Sequence, residues 1–354
     1  MARRPEAAKA DLQKTLIRLR QNDTLFQRSC CGGVSIMNRC AGLGLSTGGV
    51  AAILMATGCT AAGSSTPVAI QSASVQAQRL QTRSGGTWAK SVFVSDHFLN
   101  KVYQFADSKN GAVIGTITDS KSPSGLDMDA KGNLYVAAEG DYGIKIYAPN
   151  TYTAMATLND PNEFITAVAA CPNGTVYATN EFNTSQGAGN VVIYAPGAKN
   201  PTGTVPDSNI YSAQFASCDK NNVLWFTYLN AAHTMQVASY DGATVKEYGN
   251  LGLGGADSAS GIQAMSNGYL AIGNTAVGIN RYNDPPNKQT TRALGCRVGN
   301  AITFAFAGSD RAIFEVDSSK SVEKCDRNGA ELYTIGQGIL ETAFYVYAFP
   351  AGNN

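Results

Sequence analysis

The sequence predicts an all-β fold, a six-bladed β-propeller of four-stranded blades, and three observations support this prediction. A unit of roughly 40–45 residues recurs down the chain, which is the length of a four-stranded blade. Side chains of one class recur at equivalent positions of this unit. The last apolar segment of the chain supplies the one strand that the first unit lacks, so the blades are expected to close into a ring.

The repeating unit is clearest in residues 132–150 and 174–198. Each stretch has a glycine turn, a strand, a variable loop and a second strand that closes in Ile-Tyr-Ala-Pro. Aligning the other units on this pattern predicts three columns of similar side chains, on the second, third and fourth strands of the blades. The second-strand column is Phe93, Tyr135, Tyr177, Trp225, Ala271 and Phe314; the third-strand column is Phe105, Tyr147, Tyr194, Tyr240, Tyr282 and Cys325; and the fourth-strand column is Ile117, Leu158, Val205, Tyr248, Leu294 and Ile335.

First strands are predicted in only five places between these units, at residues 125–132, 166–174, 213–221, 261–268 and 302–310. The sixth is predicted at the far end of the chain, in residues 343–352, where Gly352 aligns with Gly174. The first unit conversely begins at its second strand, with Ser91. The last strand is therefore expected to complete the blade that the first strand begins, which leaves no free sheet edge.

The N-terminal residues 1–58 are predicted to be a leader, with residues 1–36 as an over-called start and residues 37–58 as the signal region. An uncharged run ends in Ala-Thr-Gly before Cys59, which is typical of an export signal. It resembles a bacterial lipoprotein signal, which implies lipidation of Cys59 and a membrane anchor. A cleaved secretory signal and an uncut membrane anchor stay open, and all three readings place the body outside the cytoplasm. The expected organisation is leader, flexible tether and propeller, at residues 1–58, 59–87 and 88–354.

The distribution of charge excludes one class of partner. Residues 1–58 carry eight Lys and Arg residues against three acids, which leaves 19 basic and 23 acidic residues in the rest of the chain. A mildly acidic body without a basic cluster argues against nucleic-acid binding, which depends on neutralising phosphates. The expected partner is an unidentified protein or small-molecule ligand at one face of the propeller.

The run Leu-Tyr-Val-Ala in residues 134–137, followed by Ile-Lys-Ile-Tyr-Ala-Pro in residues 144–149, resembles NHL-repeat and YVTN-type propellers of bacterial envelopes. The related gluconolactonase-like hydrolases hold a divalent cation with carboxylate and amide oxygens, several of them at the entry to first strands. The resemblance therefore implies an alternative function, a metal-dependent lactonase or esterase in the channel. The chain departs from that pattern, because the matching positions lack carboxylates and amides: Ser124, Thr166, Ala213, Ser260 and Ile302.

Polar residues at the ends of the second strands form the candidate ligand-binding site. The equivalent positions there are Asp96, Ala138, Asn180, Tyr228, Asn274 and Asp317. Two acids and two amides at one mouth of the channel would suit a cation or a polar ligand, so the candidate residues are Asp96, Asn180, Asn274 and Asp317. The alternative is that these side chains cap strand ends and begin turns, as Asp and Asn commonly do.

The cysteine and histidine residues are not expected to form a catalytic or metal site. Cys171 and Cys218 occupy equivalent places in adjacent blades, and an extracytoplasmic address would permit a disulfide between them. Neighbouring blades are expected to diverge, however, so buried free thiols are the expectation and the disulfide stays the alternative. Cys325 is expected to fill space in its column. His97 and His233 are expected in exposed loops, without the partners that a general base or metal site needs.

The function predicted from these observations is binding rather than catalysis. No nucleotide loop or other cofactor motif is recognisable, so neither a cofactor nor a bound metal is expected. The sequence predicts a non-catalytic, envelope-attached binding or scaffold propeller of unknown ligand. The alternative stays the divalent-metal-dependent lactonase or esterase-like hydrolase.

Overall fold

A computed structural model of the chain describes residues 88–185, 187–253, 259–265, 269–274, 278–283, 289–294, 296, 301–307, 312–317, 320–326 and 328–349. These residues form six four-stranded antiparallel sheets, which confirms the predicted six-bladed propeller. The predicted leader and tether, including Cys59, lie outside the described residues. Within the described ranges, no helix is long and apolar enough to cross a membrane.

The blades are numbered in chain order, and their strands are given from the innermost to the outermost. Blade 1 consists of β24 (Ala343–Phe349), β1 (Ser91–Asp96), β2 (Lys101–Ala106) and β3 (Val113–Ile117), and blade 2 of β4 (Pro123–Met128), β5 (Leu134–Ala138), β6 (Gly143–Tyr147) and β7 (Ala156–Asn159). Blade 3 consists of β8 (Glu163–Ala170), β9 (Val176–Asn183), β10 (Ala188–Tyr194) and β11 (Gly203–Thr204), and blade 4 of β12 (Ser212–Cys218), β13 (Leu224–Leu229), β14 (Met235–Tyr240) and β15 (Val245–Gly249). Blade 5 consists of β16 (Ala259–Ala264), β17 (Tyr269–Asn274), β18 (Gly278–Asn283) and β19 (Gln289–Leu294), and blade 6 of β20 (Ala301–Ala307), β21 (Ala312–Asp317), β22 (Ser321–Cys325) and β23 (Glu331–Ile335).

The last strand of the chain closes the ring of blades, as predicted. β24 runs antiparallel to β1, with Phe93 opposite Tyr347 and Val94 opposite Val346. The innermost strands contact one another in a closed cycle, in the order β24, β4, β8, β12, β16 and β20. Backbone hydrogen bonds between the two ends of the propeller therefore hold the ring together.

The side chains of the predicted second-strand and third-strand columns are all buried in the propeller core. All six members of the second-strand column are at most 9% exposed. The third-strand tyrosines also make specific bonds: the Tyr147 hydroxyl donates to Asp119 Oδ1 at 2.6 Å, and the Tyr194 hydroxyl donates to the Asn159 carbonyl at 3.0 Å. Asp119 follows the outermost strand of blade 1 and Asn159 ends that of blade 2. Each tyrosine therefore connects its blade to the preceding one.

The hairpin between the first and second strands of blade 2 illustrates the turn chemistry. Asp129 Oδ1 accepts hydrogen bonds from the backbone N–H groups of Lys131 and Asn133, both at 2.9 Å. Gly132 adopts a φ of 82°, which only glycine adopts without steric cost. The Asp-x-x-Gly sequence is therefore sufficient to explain this turn.

The two faces of the propeller carry different connections. We define the upper face as the face that carries two kinds of connection. These are the loops between second and third strands and the segments that lead from each blade to the next. Each innermost strand has a register irregularity near its upper end, as at Phe344 in β24 and beside Ser124 in β4. A bulge re-aims nearby side chains, so these positions face neighbouring blades or the axis.

The free-thiol prediction for Cys171 and Cys218 is wrong, because the two residues form a disulfide with a Cα–Cα distance of 5.1 Å. Cys171 directly follows β8 and Cys218 ends β12, and these innermost strands run side by side near the axis, where blades converge. Cys325, expected only to fill space, forms a disulfide with Cys296 at a Cα–Cα distance of 5.2 Å. Disulfides persist in oxidising compartments, so both bonds point to an extracytoplasmic environment.

Candidate functional site

Asp96, the first of the four candidate ligand-binding residues, is fully buried at the upper end of β1. Its Oδ1 accepts a hydrogen bond from the Leu99 backbone N–H at 3.1 Å. Its Oδ2 accepts hydrogen bonds from the backbone N–H groups of Glu341 at 2.6 Å and Thr342 at 3.2 Å. Glu341 and Thr342 directly precede β24, so Asp96 connects the segment that enters the closing strand to the first strand of the chain.

Asn180 and Asn274 occupy the same strand-end position in blades 3 and 5, and both are buried. Asn180 Nδ2 donates to Asp160 Oδ2 at 3.1 Å, and Asn274 Nδ2 donates to the Leu253 carbonyl at 3.2 Å. Asp160 and Leu253 both lie just after the outermost strand of the preceding blade. The two amides therefore connect neighbouring blades on the upper face, as Asp96 does.

Asp317 ends β21, where its backbone pairs with Ala301, and its side chain lies outside the description. The contacts of Asp96, Asn180 and Asn274 place these side chains at three different blade interfaces. Ligand binding by the four residues stays a prediction.

The positions that match the metal ligands of gluconolactonase-like hydrolases form bonds between blades. Ser124 Oγ donates to the Ile165 carbonyl at 2.8 Å, and Thr166 Oγ1 donates to the Ala213 carbonyl at 3.1 Å. Two further matching positions lie outside the described side chains: Ser260 and Ile302. In the part of the chain that the structure describes, no three His, Cys, Asp or Glu side chains are grouped as a metal site.

The central channel is crossed by two aromatic side chains. Tyr345 of β24 and Phe215 of β12 are 7% and 8% exposed, and their ring centroids are 6.4 Å apart. Their strands lie three blades apart in the closed cycle, so the two rings meet across the axis. The neighbouring innermost strands β4 and β8 also approach each other closely, since a Cβ at Gly125 would lie 2.4 Å from Ala167 Cα. Side chains therefore occupy the axis at this level.

Asp127 of β4 is an acid beside this pair. Its Oδ2 accepts a hydrogen bond from the Ala170 backbone N–H at 2.7 Å, and its Oδ1 accepts one from its neighbour Met128 at 2.8 Å. Burial raises the pKa of the Asp127 carboxyl to about 7, although both N–H groups act to lower it. Folding raises the pKa of the Asp127 carboxyl, so its contribution to the stability of the folded state is greatest at pH values below its pKa in the unfolded chain. This contribution is lost as the pH rises through about 7.

A set of aromatic side chains covers the upper face of blades 1 to 3. We call it the upper patch, and its members are Phe98, Tyr142, Phe164, Phe182 and Phe344. Phe98 is 61% exposed and Tyr142 is 41% exposed. The ring centroids of Tyr142 and Phe164 are 6.0 Å apart, and those of Phe164 and Phe182 are 4.6 Å apart. Clustered exposed apolar groups of this kind mark interaction sites.

His97 connects the blade 1 members of the upper patch to blade 2. Its ring centroid lies 5.8 Å from that of Phe98 and 5.7 Å from that of Phe344, and its Nε2 lies 3.8 Å from Glu139 Oε2. The side chain is half-buried, so the expectation of an exposed histidine is wrong here. Burial lowers the pKa of His97, which favours the neutral imidazole at pH 7.

The upper patch was missed in the sequence, although a signal was present. Phe98, Phe164 and Phe182 are aromatic residues outside the three predicted columns. Large aromatic residues that have no column position are candidates for exposure. Nothing in the linear sequence, however, shows that the loop after β1 and the ends of β8 and β9 are neighbours.

Comparisons with known proteins support the fold alone. No protein-family model matches the chain, and no curated protein matches it. A chain of a nidogen/laminin complex is 13% identical with a TM-score of 0.60, over 73% of this chain and 98% of that one. A Bacteroides caccae protein of unknown function is 8% identical with a TM-score of 0.56, over 73% and 99%. Streptogramin B lyase is 15% identical with a TM-score of 0.49, over 75% and 87%. The resemblance to NHL-repeat and YVTN-type propellers stays a prediction.

Proposed function

We propose that this protein is a non-catalytic binding propeller and that the upper patch is its binding surface. The observation that carries this proposal is the exposure of two aromatic side chains on this face, Phe98, whose ring contacts His97, and Tyr142, whose ring contacts Phe164. Loops on a rigid scaffold commonly carry recognition. Aromatic side chains also dominate the binding energy of many interfaces, because they bury a large area with few rotatable bonds.

The charges around the upper patch suggest the chemistry of the partner. Glu139 lies against His97, the exposed Glu181 directly precedes Phe182, and the exposed Glu341 lies three residues before Phe344. Carboxylates around an aromatic surface favour a ligand that carries positive charge, through charge complementarity and cation–π contacts. We expect a partner segment that combines apolar and positively charged groups.

The alternative, a metal-dependent lactonase or esterase in the channel, has weaker support. Ser124 and Thr166 direct their hydroxyls to carbonyls of the neighbouring blade, and Tyr345 packs against Phe215 across the axis. These side chains therefore do not form a set of free metal ligands that faces a substrate in this part of the channel. A ligand held by Asp96, Asn180, Asn274 and Asp317 is part of this alternative.

A photo-crosslinking amino acid at position 98 or 142 is expected to form a defined adduct with the partner in the cells that produce this protein. The same amino acid at Met155 or Leu332 is expected to form none. Met155 and Leu332 are matched controls, because they are 55% and 49% exposed but lie on outer strands or beside them.

With the crosslinked partner purified, Phe98→Ser and Tyr142→Ser are each expected to weaken binding about tenfold or more, since central aromatic residues contribute at least about 1.4 kcal/mol at such interfaces. Titration calorimetry measures the affinities, and Met155→Ser serves as the control. Equal adducts at all four positions, or affinities unchanged in both patch variants, would contradict the proposal.

We also propose that Cys59 anchors the propeller to a membrane. The two disulfides support an extracytoplasmic address, and the apolar run before Cys59 supports lipid attachment. In a bacterial host, the mature protein is expected to begin at a lipid-modified Cys59, and Cys59→Ser is expected to abolish the modification. Mass spectrometry of the N-terminal peptide tests this, and a mature protein that retains residues 41–58 would overturn it.

A further inference from the structure

Four oxygen-bearing side chains meet between blades 2 and 3, beneath the upper patch. Asp160 follows β7, Glu163 begins β8, Asn180 lies in β9 and Asn190 lies in β10. Asn180 Nδ2 donates to Asp160 Oδ2 at 3.1 Å and to Asn190 Oδ1 at 2.9 Å. Asn190 Nδ2 in turn donates to Glu163 Oε1 at 3.1 Å. The four side chains therefore form one connected cluster.

Two oxygens of this cluster have no hydrogen-bond partner although they are buried. They are Asn180 Oδ1 and Glu163 Oε2, and the Asn180 side chain is fully buried. Buried polar atoms in native proteins are nearly always paired, and an unpaired one indicates a bound water or ion. Each of these two atoms therefore indicates a missing partner at the cluster.

The cluster also lacks a compensating positive charge. Asp160 is 1% exposed and Glu163 is half-buried. Within the described residues, neither carboxylate forms an ion pair with a lysine or arginine. Burying carboxylates without a counter-charge is unfavourable, so a cation between them would stabilise the folded state.

The hydrogen bonds within the cluster leave oxygens for a cation. Asn180 bonds Asp160 and Asn190 through Nδ2, so its Oδ1 is not used in these bonds. Asp160 accepts through Oδ2 and Glu163 accepts through Oε1, so each carboxylate keeps a second oxygen outside these bonds. Carboxylate and amide oxygens of this kind bind Ca²⁺ at about 2.3–2.6 Å.

We propose that Asp160, Glu163, Asn180 and Asn190 bind one Ca²⁺ ion between blades 2 and 3. Carboxylate and amide oxygens are the ligands that Ca²⁺ takes, and Ca²⁺ accepts the irregular geometry of side chains from four separate strands and loops. Mg²⁺ demands a near-ideal octahedron and gives up its water reluctantly, so it fits less well. The bound ion joins the two blades that carry Tyr142, Phe164 and Phe182.

Purified full-length protein, stripped of metal with a chelator, is expected to bind Ca²⁺ at one site per chain in titration calorimetry and to melt at a higher temperature as Ca²⁺ is added. Asp160→Asn is expected to lower the Ca²⁺ affinity at least about tenfold, because ligand charge sets affinity at such sites. Tb³⁺ in place of Ca²⁺ is expected to luminesce on tyrosine excitation, because the Tyr194 hydroxyl lies beside Asp160.

Asp119→Asn is the matched control. Asp119 occupies the same position after the outermost strand of blade 1, and it accepts the Tyr147 hydroxyl as its own partner. This variant is expected to keep the Ca²⁺ affinity within about twofold of the original. If Asp160→Asn does not fold, Glu163→Gln replaces it, because the half-buried Glu163 retains its bond from Asn190 as a glutamine.

Failure to bind Ca²⁺ at millimolar concentration would show that the unpaired oxygens hold water and would overturn the proposal. Equal affinities in Asp160→Asn and Asp119→Asn would do the same, since binding would then lie elsewhere. The measurement needs no partner for the upper patch, so its outcome is independent of the proposed binding function.

Discussion

A chain that ends at Thr342 is expected to be unfolded or aggregated, because it lacks the innermost strand of blade 1. Removing β24 takes away the buried side chains of Tyr345, Val346 and Ala348 and all backbone pairing on one edge of β1. A fully buried large apolar side chain contributes roughly 1.5–3 kcal/mol, while a whole domain is stable by only about 5–15 kcal/mol. The truncation also exposes a long sheet edge, which promotes aggregation.

Circular dichroism, size-exclusion chromatography and thermal unfolding measure this effect. A chain that ends at Phe349 is the control, because it keeps the whole strand, and it is expected to fold like the full chain. A chain ending at Thr342 that stays monomeric and unfolds cooperatively would show that β24 is an appendage and that the propeller is not closed by it.

Replacing Asp96 by alanine is expected to destabilise the domain by about 3–5 kcal/mol, because three backbone N–H groups lose a charged acceptor at a fully buried position. Two of those groups, on Glu341 and Thr342, position the segment that leads into β24. The substitution is therefore expected to loosen the contact between the two ends of the ring. Urea unfolding measures the change, with two-state behaviour checked by two spectroscopic probes.

Asp141→Ala is the control for this experiment. Asp141 lies on the same face, pairs with Lys145 at 2.8 Å and accepts one hydrogen bond from the Lys121 backbone N–H at 3.0 Å, so its loss is expected to lower stability by about 1–2 kcal/mol, less than the loss of Asp96. If Asp96 served mainly as a ligand residue, Asp96→Ala would leave the unfolding midpoint unchanged. That outcome would favour the ligand-binding prediction over the structural role.

Much of the fold could be predicted from sequence because a propeller repeats one local pattern. Tyr135 and Tyr177 fill equivalent spaces between blades, so the recurrence of an aromatic residue at one register is visible without any knowledge of distance. The closing strand was predictable for the same reason, since residues 343–349 complete an incomplete unit. Both inferences need only the order of elements along the chain.

The site was predictable only in part. Asp96, Asn180 and Asn274 stand at strand ends as expected, but their bonding partners could not be read from the sequence. Asn180 contacts a residue 20 positions away, Asn274 one 21 positions away and Asp96 one 245 positions away. Which groups a buried polar side chain meets depends on how the next blade is placed against it, and no local pattern encodes that placement.

The sequence by itself determined the number of blades, the order of their strands and the closure of the ring, because each follows from hydrophobic spacing within a repeat. Only the tertiary structure decided which side chains meet across blades. The disulfide between Cys171 and Cys218 forms because the innermost strands converge near the axis to a Cα–Cα distance of 5.1 Å. The contact of Tyr345 with Phe215 has the same cause, and on the upper face Tyr142 of blade 2 meets Phe164 of blade 3. Distances between blades are set by the packing of the whole ring, so contacts between blades are properties of the folded chain.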